Sequence, residues 1–169
     1  YFSVENLSKY AYFLFGIGFI VYLIAYQKPY LRDSRENMEY DLGKVNPRLN
    51  GIYGDERINN MHKELNSLVR KYGTNFKVLP AMPLANMLYG KKSPSSIDWT
   101  LNCETAGQED RLFQELNETG AFVFLDKPAL QFELDLKNED RKYGSNLTMR
   151  ILREWGKIDS IGRFYVFKN

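Results

Sequence analysis

Seventeen consecutive residues from Tyr10 to Tyr26, YAYFLFGIGFIVYLIAY, carry no charge, no proline and no Asn or Gln. A helix over this run places aliphatic and aromatic side chains on every face and so has no wet side. The run reaches the lower edge of the ~17–25 residues that cross a hydrocarbon core. Tyr10, Tyr12, Tyr22 and Tyr26 lie near its ends, where amphipathic rings favour the headgroup region, and Lys9 and Lys28 bracket it with ammonium groups able to snorkel. These features predict a transmembrane helix over 10–26, flanked by 1–9 and seated in a membrane lipid bilayer. A cleaved signal peptide fits less well, because Gln27-Lys28-Pro29-Tyr30 follows the run and no small-x-small site does. The opening residue is Tyr1, which suggests the C-terminal piece of a longer protein.

Beyond position 26 the composition changes. Every charged residue except Glu5 and Lys9 lies there, and a mean hydropathy of −0.45 despite the apolar run makes this remainder distinctly polar. Lys and Arg total 23 against 21 Asp and Glu, so there is no broad basic field and nucleic acid is not an expected partner. One cysteine, Cys103, closes no intramolecular disulfide, and with the lone His62 it builds no structural zinc site.

Residues 27–50 hold several turn formers and read as a juxtamembrane linker, followed by a soluble α/β domain over 51–169 that opens with a strand over 51–53. Asp55 offers an N-cap, and Ile58, Met61, Leu65, Leu68, Val69 and Tyr72 follow at helical spacing before Gly73 supplies a stop. A strand over 76–80 comes next, then a stubby helix from Pro83 to Leu88 that Gly90 ends, then an exposed loop over 91–96. A second unit places a strand near 97–101, a helix from about Gly107 to Glu118 ended by Gly120, and a buried strand over 121–125, apolar on both faces. Phe132, Leu134 and Leu136 alternate with polar residues, which fits either an edge strand or an irregular insertion. Ser145 or Asn146 caps a last helix with Leu147, Ile151, Leu152 and Trp155, and 158–168 form a final strand or hairpin. This alternation predicts a three-layer, Rossmann-like and mainly parallel sheet with an antiparallel edge, with 76–79 and 121–125 as interior strands.

Most catalytic constellations fail on this chain. There is no G-x-G-x-x-G, P-loop, H-E-x-x-H or G-x-S-x-G, so no cofactor, metal or catalytic residue is assigned. His62 lies near the apolar side of the first soluble helix and reads as a packed residue. Glu133-Leu134-Asp135 is the nearest approach to a D-x-D metal motif; on a strand both carboxylates share one face, which is commonplace on a wet edge.

One segment carries more information as a string. Leu49 to Tyr53 reads L-x-G-I-Y, Val78 to Pro83 reads V-L-P-x-x-P, Met87 to Pro94 reads M-L-Y-G-K-K-S-P, and Trp99 follows. With the closing run Gly162 to Phe167, these elements resemble the C-terminal extracytoplasmic domain, with the last transmembrane helix, of GT-C superfamily membrane glycosyltransferases, the relatives of protein mannosyltransferases and lipid A aminoarabinose transferases. The resemblance implies sugar transfer from a polyprenyl-phosphate donor on the outer side of a membrane. In that family the catalytic carboxylate lies in the first extracytoplasmic loop, and no position of this sequence corresponds to it. The domain would then be inert alone and would cover the active site, with Tyr89, Lys91, Lys92 and Trp99 as candidate donor contacts, since ammonium groups attract phosphate and aromatic faces stack on sugars. The likeness places the domain outside the cytoplasm, whereas Lys28, Arg32 and Arg35 favour the reverse under the positive-inside tendency. Two other readings stand beside it: a single-pass membrane-anchored α/β interaction module, and a self-contained enzyme using carboxylates such as Asp98, Asp126 and Glu133.

Overall fold

The computed structural model describes residues 4–27, 35–80, 82–136, 140 and 143–169, with side chains of the first helix described from Tyr10 to Tyr26. That helix, α1 (Val4–Gln27), covers the apolar run. Among the described residues no helix is long and apolar enough to cross a membrane, so the structure does not support the predicted span. The described side chains of α1, Tyr10 to Tyr26, cover seventeen residues, about 25 Å at 1.5 Å each. Lys9, Lys28 and Arg32, on which the sidedness arguments rest, lie outside the described side chains.

The predicted linker is partly folded. After a 3₁₀ turn at Arg35–Asn37, β1 (Tyr40–Asp41) pairs antiparallel with β2 (Tyr53–Gly54), and between them two more 3₁₀ turns, Leu42–Lys44 and Pro47–Leu49, bury Leu42 and Leu49. Their caps explain the turns: the Asp41 carboxylate accepts from the Gly43 amide and the Asn46 side chain from that of Arg48. The strand expected over 51–53 thus forms two residues at 53–54. The amphipathic helix α2 (Glu56–Tyr72) forms as its caps dictate, the Asp55 carboxylate accepting from the Ile58 amide at 2.7 Å and Gly73 ending it at φ +86°.

The main sheet has the order β3-β4-β6-β5, from β3 (Phe76–Leu79), β4 (Phe122–Asp126), β5 (Gly156–Ile161) and β6 (Phe164–Lys168). Only β3 and β4 run parallel, Phe76 opposite Phe122; β6 is antiparallel to both of its neighbours. The sheet is therefore mixed rather than mainly parallel, and β3 is an edge strand, not an interior one. A two-residue turn at Gly162-Arg163 forces β5 and β6 antiparallel, leaving one helical crossover to make one parallel pair. Gly162 is required there: its φ is +52°, and a Cβ would fall 2.1 Å from the Glu64 carboxyl carbon.

Strand alternation divides the core. Phe76, Val78, Phe124, Phe164 and Val166 face α2, with Phe76 and Phe124 stacked at 4.9 Å. Leu79, Val123, Leu125 and Phe167 face α4 (Glu109–Thr119) and α6 (Asn146–Glu154). Three layers result, as expected. Two segments depart from expectation. Residues 97–101 form no strand, because the Ile97 carbonyl accepts from the Lys77 ammonium and the Ser95 hydroxyl, and so is committed to side chains instead of a ladder; a short helix, α3 (Asn102–Thr105), follows. Residues 127–135 are neither edge strand nor irregular insertion but a helix, α5 (Lys127–Asp135). Pro128 starts it, and the segment has no β-branched residue. The period-two pattern at Phe132 and Leu134 marks no buried strand face, since both are exposed and only Leu130 is buried.

Candidate functional site

The site builds outward from a lysine on the edge strand. Lys77 points to the opposite sheet face from Phe76 and is 1% exposed. Its ammonium donates three hydrogen bonds of 3.0 Å each, to the Ser93 hydroxyl, the Ile97 carbonyl and the Asp98 carboxylate. An ammonium has three donors and all three are used. Burial lowers the Lys77 pKa, and the Asp98 partner opposes that shift. The loop that wraps the ammonium is tied to α4 as well: the Ser96 amide donates to Glu115 at 2.6 Å, and the Arg111 guanidinium donates to the Ser96 hydroxyl. The Ser96 amide, ahead of Arg111, holds the Glu115 carboxyl below its ordinary value.

Three of the four predicted contact residues flank this clamp along the chain, Lys91 and Lys92 just before Ser93 and Trp99 just after Asp98. Lys91 and Lys92 are exposed, and Trp99, next to Asp98, is 49% exposed. Tyr89 packs on the Phe76 face of the sheet: it is half-buried, meets Phe76 edge-on at 5.8 Å, and burial pushes its pKa up to about 12. Arg48 joins the group without any signal in the sequence. Its guanidinium donates to the Met87 carbonyl at 3.0 Å and lies 2.7 Å from where a Cβ on Gly90 would stand, so residues 39 apart meet. The segment is fastened further by Asn46, which donates to the Leu88 carbonyl, and by the buried Asn86, which donates to the Phe76 carbonyl.

A second feature lies between α5 and α6. A cavity of about 130 Å³ is lined by Glu133 with Asn102, Leu134, Ser145, Asn146 and Met149 among others. Both Glu133 carboxyl oxygens are buried without a hydrogen-bond partner; the Ser145 amide lies near enough to offset the shift but closes no full bond. Burial raises the Glu133 pKa to about 7. Asp135, two residues on, lies in the exposed last turn and accepts from Gln131, so the helix separates the acidic pair that a strand would have aligned.

The three carboxylates considered for a self-contained enzyme sit in three different networks. Asp98 holds Lys77, Asp126 is bound in two-pronged fashion by Arg163 at 2.6 Å per contact, and Glu133 lines its own cavity. His62 is buried on α2 and its pKa is lowered by that burial. Among the described residues no group of three His, Cys, Asp or Glu could hold a metal ion. Comparison with family models, curated proteins and solved structures finds no match.

Proposed function

We propose that this chain is the membrane-anchored C-terminal part of a GT-C-type glycosyltransferase using a polyprenyl-phosphate-linked sugar, with an α/β domain that is non-catalytic alone and covers the extracytoplasmic active site. The observation that carries this reading is convergence. Parts of the segments that bear the resemblance meet around one clamp: Val78 and Leu79 continue β3 beside Lys77, 87–94 brings Ser93 to its ammonium, and Trp99 follows Asp98. A buried ammonium with no vacant donor is a fixture, so the loop it holds presents Lys91, Lys92 and Trp99 from a rigid base. Two exposed cations beside an exposed indole suit a phosphate joined to a sugar.

The anchor is α1. Phe13, Leu14 and Phe15, successive residues 66–75% exposed, point to three faces of the helix, and Phe19, Ile20 and Ile24 are also exposed. Water is a poor solvent for such a surface, and a run of this length is accommodated in lipid by local thinning and snorkelling of its flanks.

The test uses the whole chain in phosphatidylcholine nanodiscs, whose headgroups carry no net charge. A polyprenyl-phosphate sugar is expected to protect Lys91 and Lys92 from an amine-modifying reagent, with no transfer activity from the chain itself. Equal modification with and without that lipid would sink the donor reading and leave the anchored interaction module.

A further inference from the structure

The 3₁₀ helix at Ala85–Tyr89 has an apolar edge, Leu84 and Met87, that the donor reading does not use, and beside it stand Lys91 and Lys92, which that reading does use. Three residues per turn stack positions 84, 87 and 90 one above another. Leu84 and Met87 on that edge are 56% and 58% exposed, while Ala85 and Asn86 are buried. The geometry is held by the Met87 amide donating to the Leu84 carbonyl and the Gly90 amide to that of Met87. Gly90, at φ +67°, ends the row, and the Arg48 guanidinium lies over it while donating to the Met87 carbonyl. Lys91 and Lys92 continue from the same end, both exposed. Two apolar tips are therefore bordered by three cations, and no acidic side chain is bonded to any of the three among the described residues.

We propose that this edge docks on the anionic surface of the membrane that holds α1, with Leu84 and Met87 entering the headgroup layer and Arg48, Lys91 and Lys92 pairing with lipid phosphates. The inference rests on the membrane-anchored reading of α1. Charge selects the occupant, since apolar tips alone suit any greasy partner whereas a cationic border favours anionic headgroups. Chain path supports it: Arg35 stacks on Tyr26 at 4.0 Å near the end of α1, and the chain reaches Arg48 thirteen residues later.

Environment-sensitive fluorophores report the docking. In a Cys103→Ser background, Met87→Cys and separately Leu14→Cys are labelled and the full chain is reconstituted in vesicles. In phosphatidylglycerol vesicles both labels are expected to be quenched by a lipid-borne quencher. In phosphatidylcholine vesicles the position-87 label should return to water while the position-14 label stays quenched. Changing Arg48, Lys91 and Lys92 to Gln should lower the docked-to-free ratio about fivefold per charge, roughly a hundredfold together. A quenched position 14 with an aqueous position 87 in phosphatidylglycerol overturns the docking and leaves the anchor standing. Two aqueous labels overturn the anchor and the docking with it. A position-87 label quenched equally in both lipids, or indifferent to the charge changes, overturns the role of the cations.

Discussion

Lys77 and Glu133 are both charged residues drawn into the fold, and their surroundings are opposite. Lys77 has an acceptor for each of its three hydrogens. Among the described residues neither Glu133 oxygen closes a hydrogen bond, and the side chain lines a cavity. A satisfied buried charge acts as a fastener, because every route out of its network costs a hydrogen bond; an unsatisfied one answers by changing its protonation. The first builds the loop that carries the candidate contacts, and the second is a carboxyl on a cavity wall whose protonation follows the pH.

The sharpest way to break this contrast is to strip the lysine of its counter-charge. Asp98→Asn leaves an ammonium that is 1% exposed without its anion, and should cost about 3 kcal/mol in denaturant unfolding of the full chain. The Lys77 pKa already lies below its ordinary 10.5 and should fall further. The unfolded state then binds more protons between the two values, so the lost stability should return as pH rises toward 10.5. Lys77→Met should cost less, about 2 kcal/mol, since Asp98 is 40% exposed and water can solvate it; only the Ile97 carbonyl and Ser93 hydroxyl lose a donor. A Lys77→Met variant weaker than Asp98→Asn would show that packing and not charge holds the loop.

Glu133 predicts the opposite pH sign. Its folded pKa of about 7 stands above the ordinary 4.5, so its contribution is complete below 4.5 and is lost as pH rises through 7. Glu133→Gln should flatten that fall and stabilise the protein above neutrality by about 1 kcal/mol once partial solvent screening is allowed for. A pH profile unchanged by the substitution would mean that the carboxyl finds a partner in solution. The smallest effect belongs to Lys91→Ala with Lys92→Ala, within about 0.5 kcal/mol of stability, because both side chains are exposed and make none of the clamp's bonds. A larger loss would extend the fastener to the loop's surface.

The candidate contacts were partly legible. Lys91 and Lys92 stood out as a cation pair between Gly90 and Ser93-Pro94, a composition that favours exposed loop. The packing of Tyr89 is not legible, because a half-buried tyrosine and an exposed one look alike in sequence; only Phe76 edge-on beside it shows which this is. Lys77 reads as part of an ordinary strand, since a lysine in such a run usually marks a wet face, and its acceptors lie 16, 20 and 21 residues away. Around Glu133 the alternation of Phe132, Leu134 and Leu136 leaves an edge strand and an irregular insertion both open, and that pattern is too short to outweigh the helix that Pro128 begins.

What the sequence determined by itself is local. Asp55 and Gly73 bound α2, Gly120 ends α4, and Ser145 caps α6 by accepting from the Thr148 amide; each works within a few residues, so composition and spacing suffice. The uncharged run of α1 was equally plain. Only the tertiary structure decided strand order, the antiparallel majority of the sheet, the meeting of Arg48 with Gly90, the three acceptors of Lys77 and the cavity beside Glu133. These depend on which distant segments share one space, and that is settled by packing the whole core at once, not by any window of the chain.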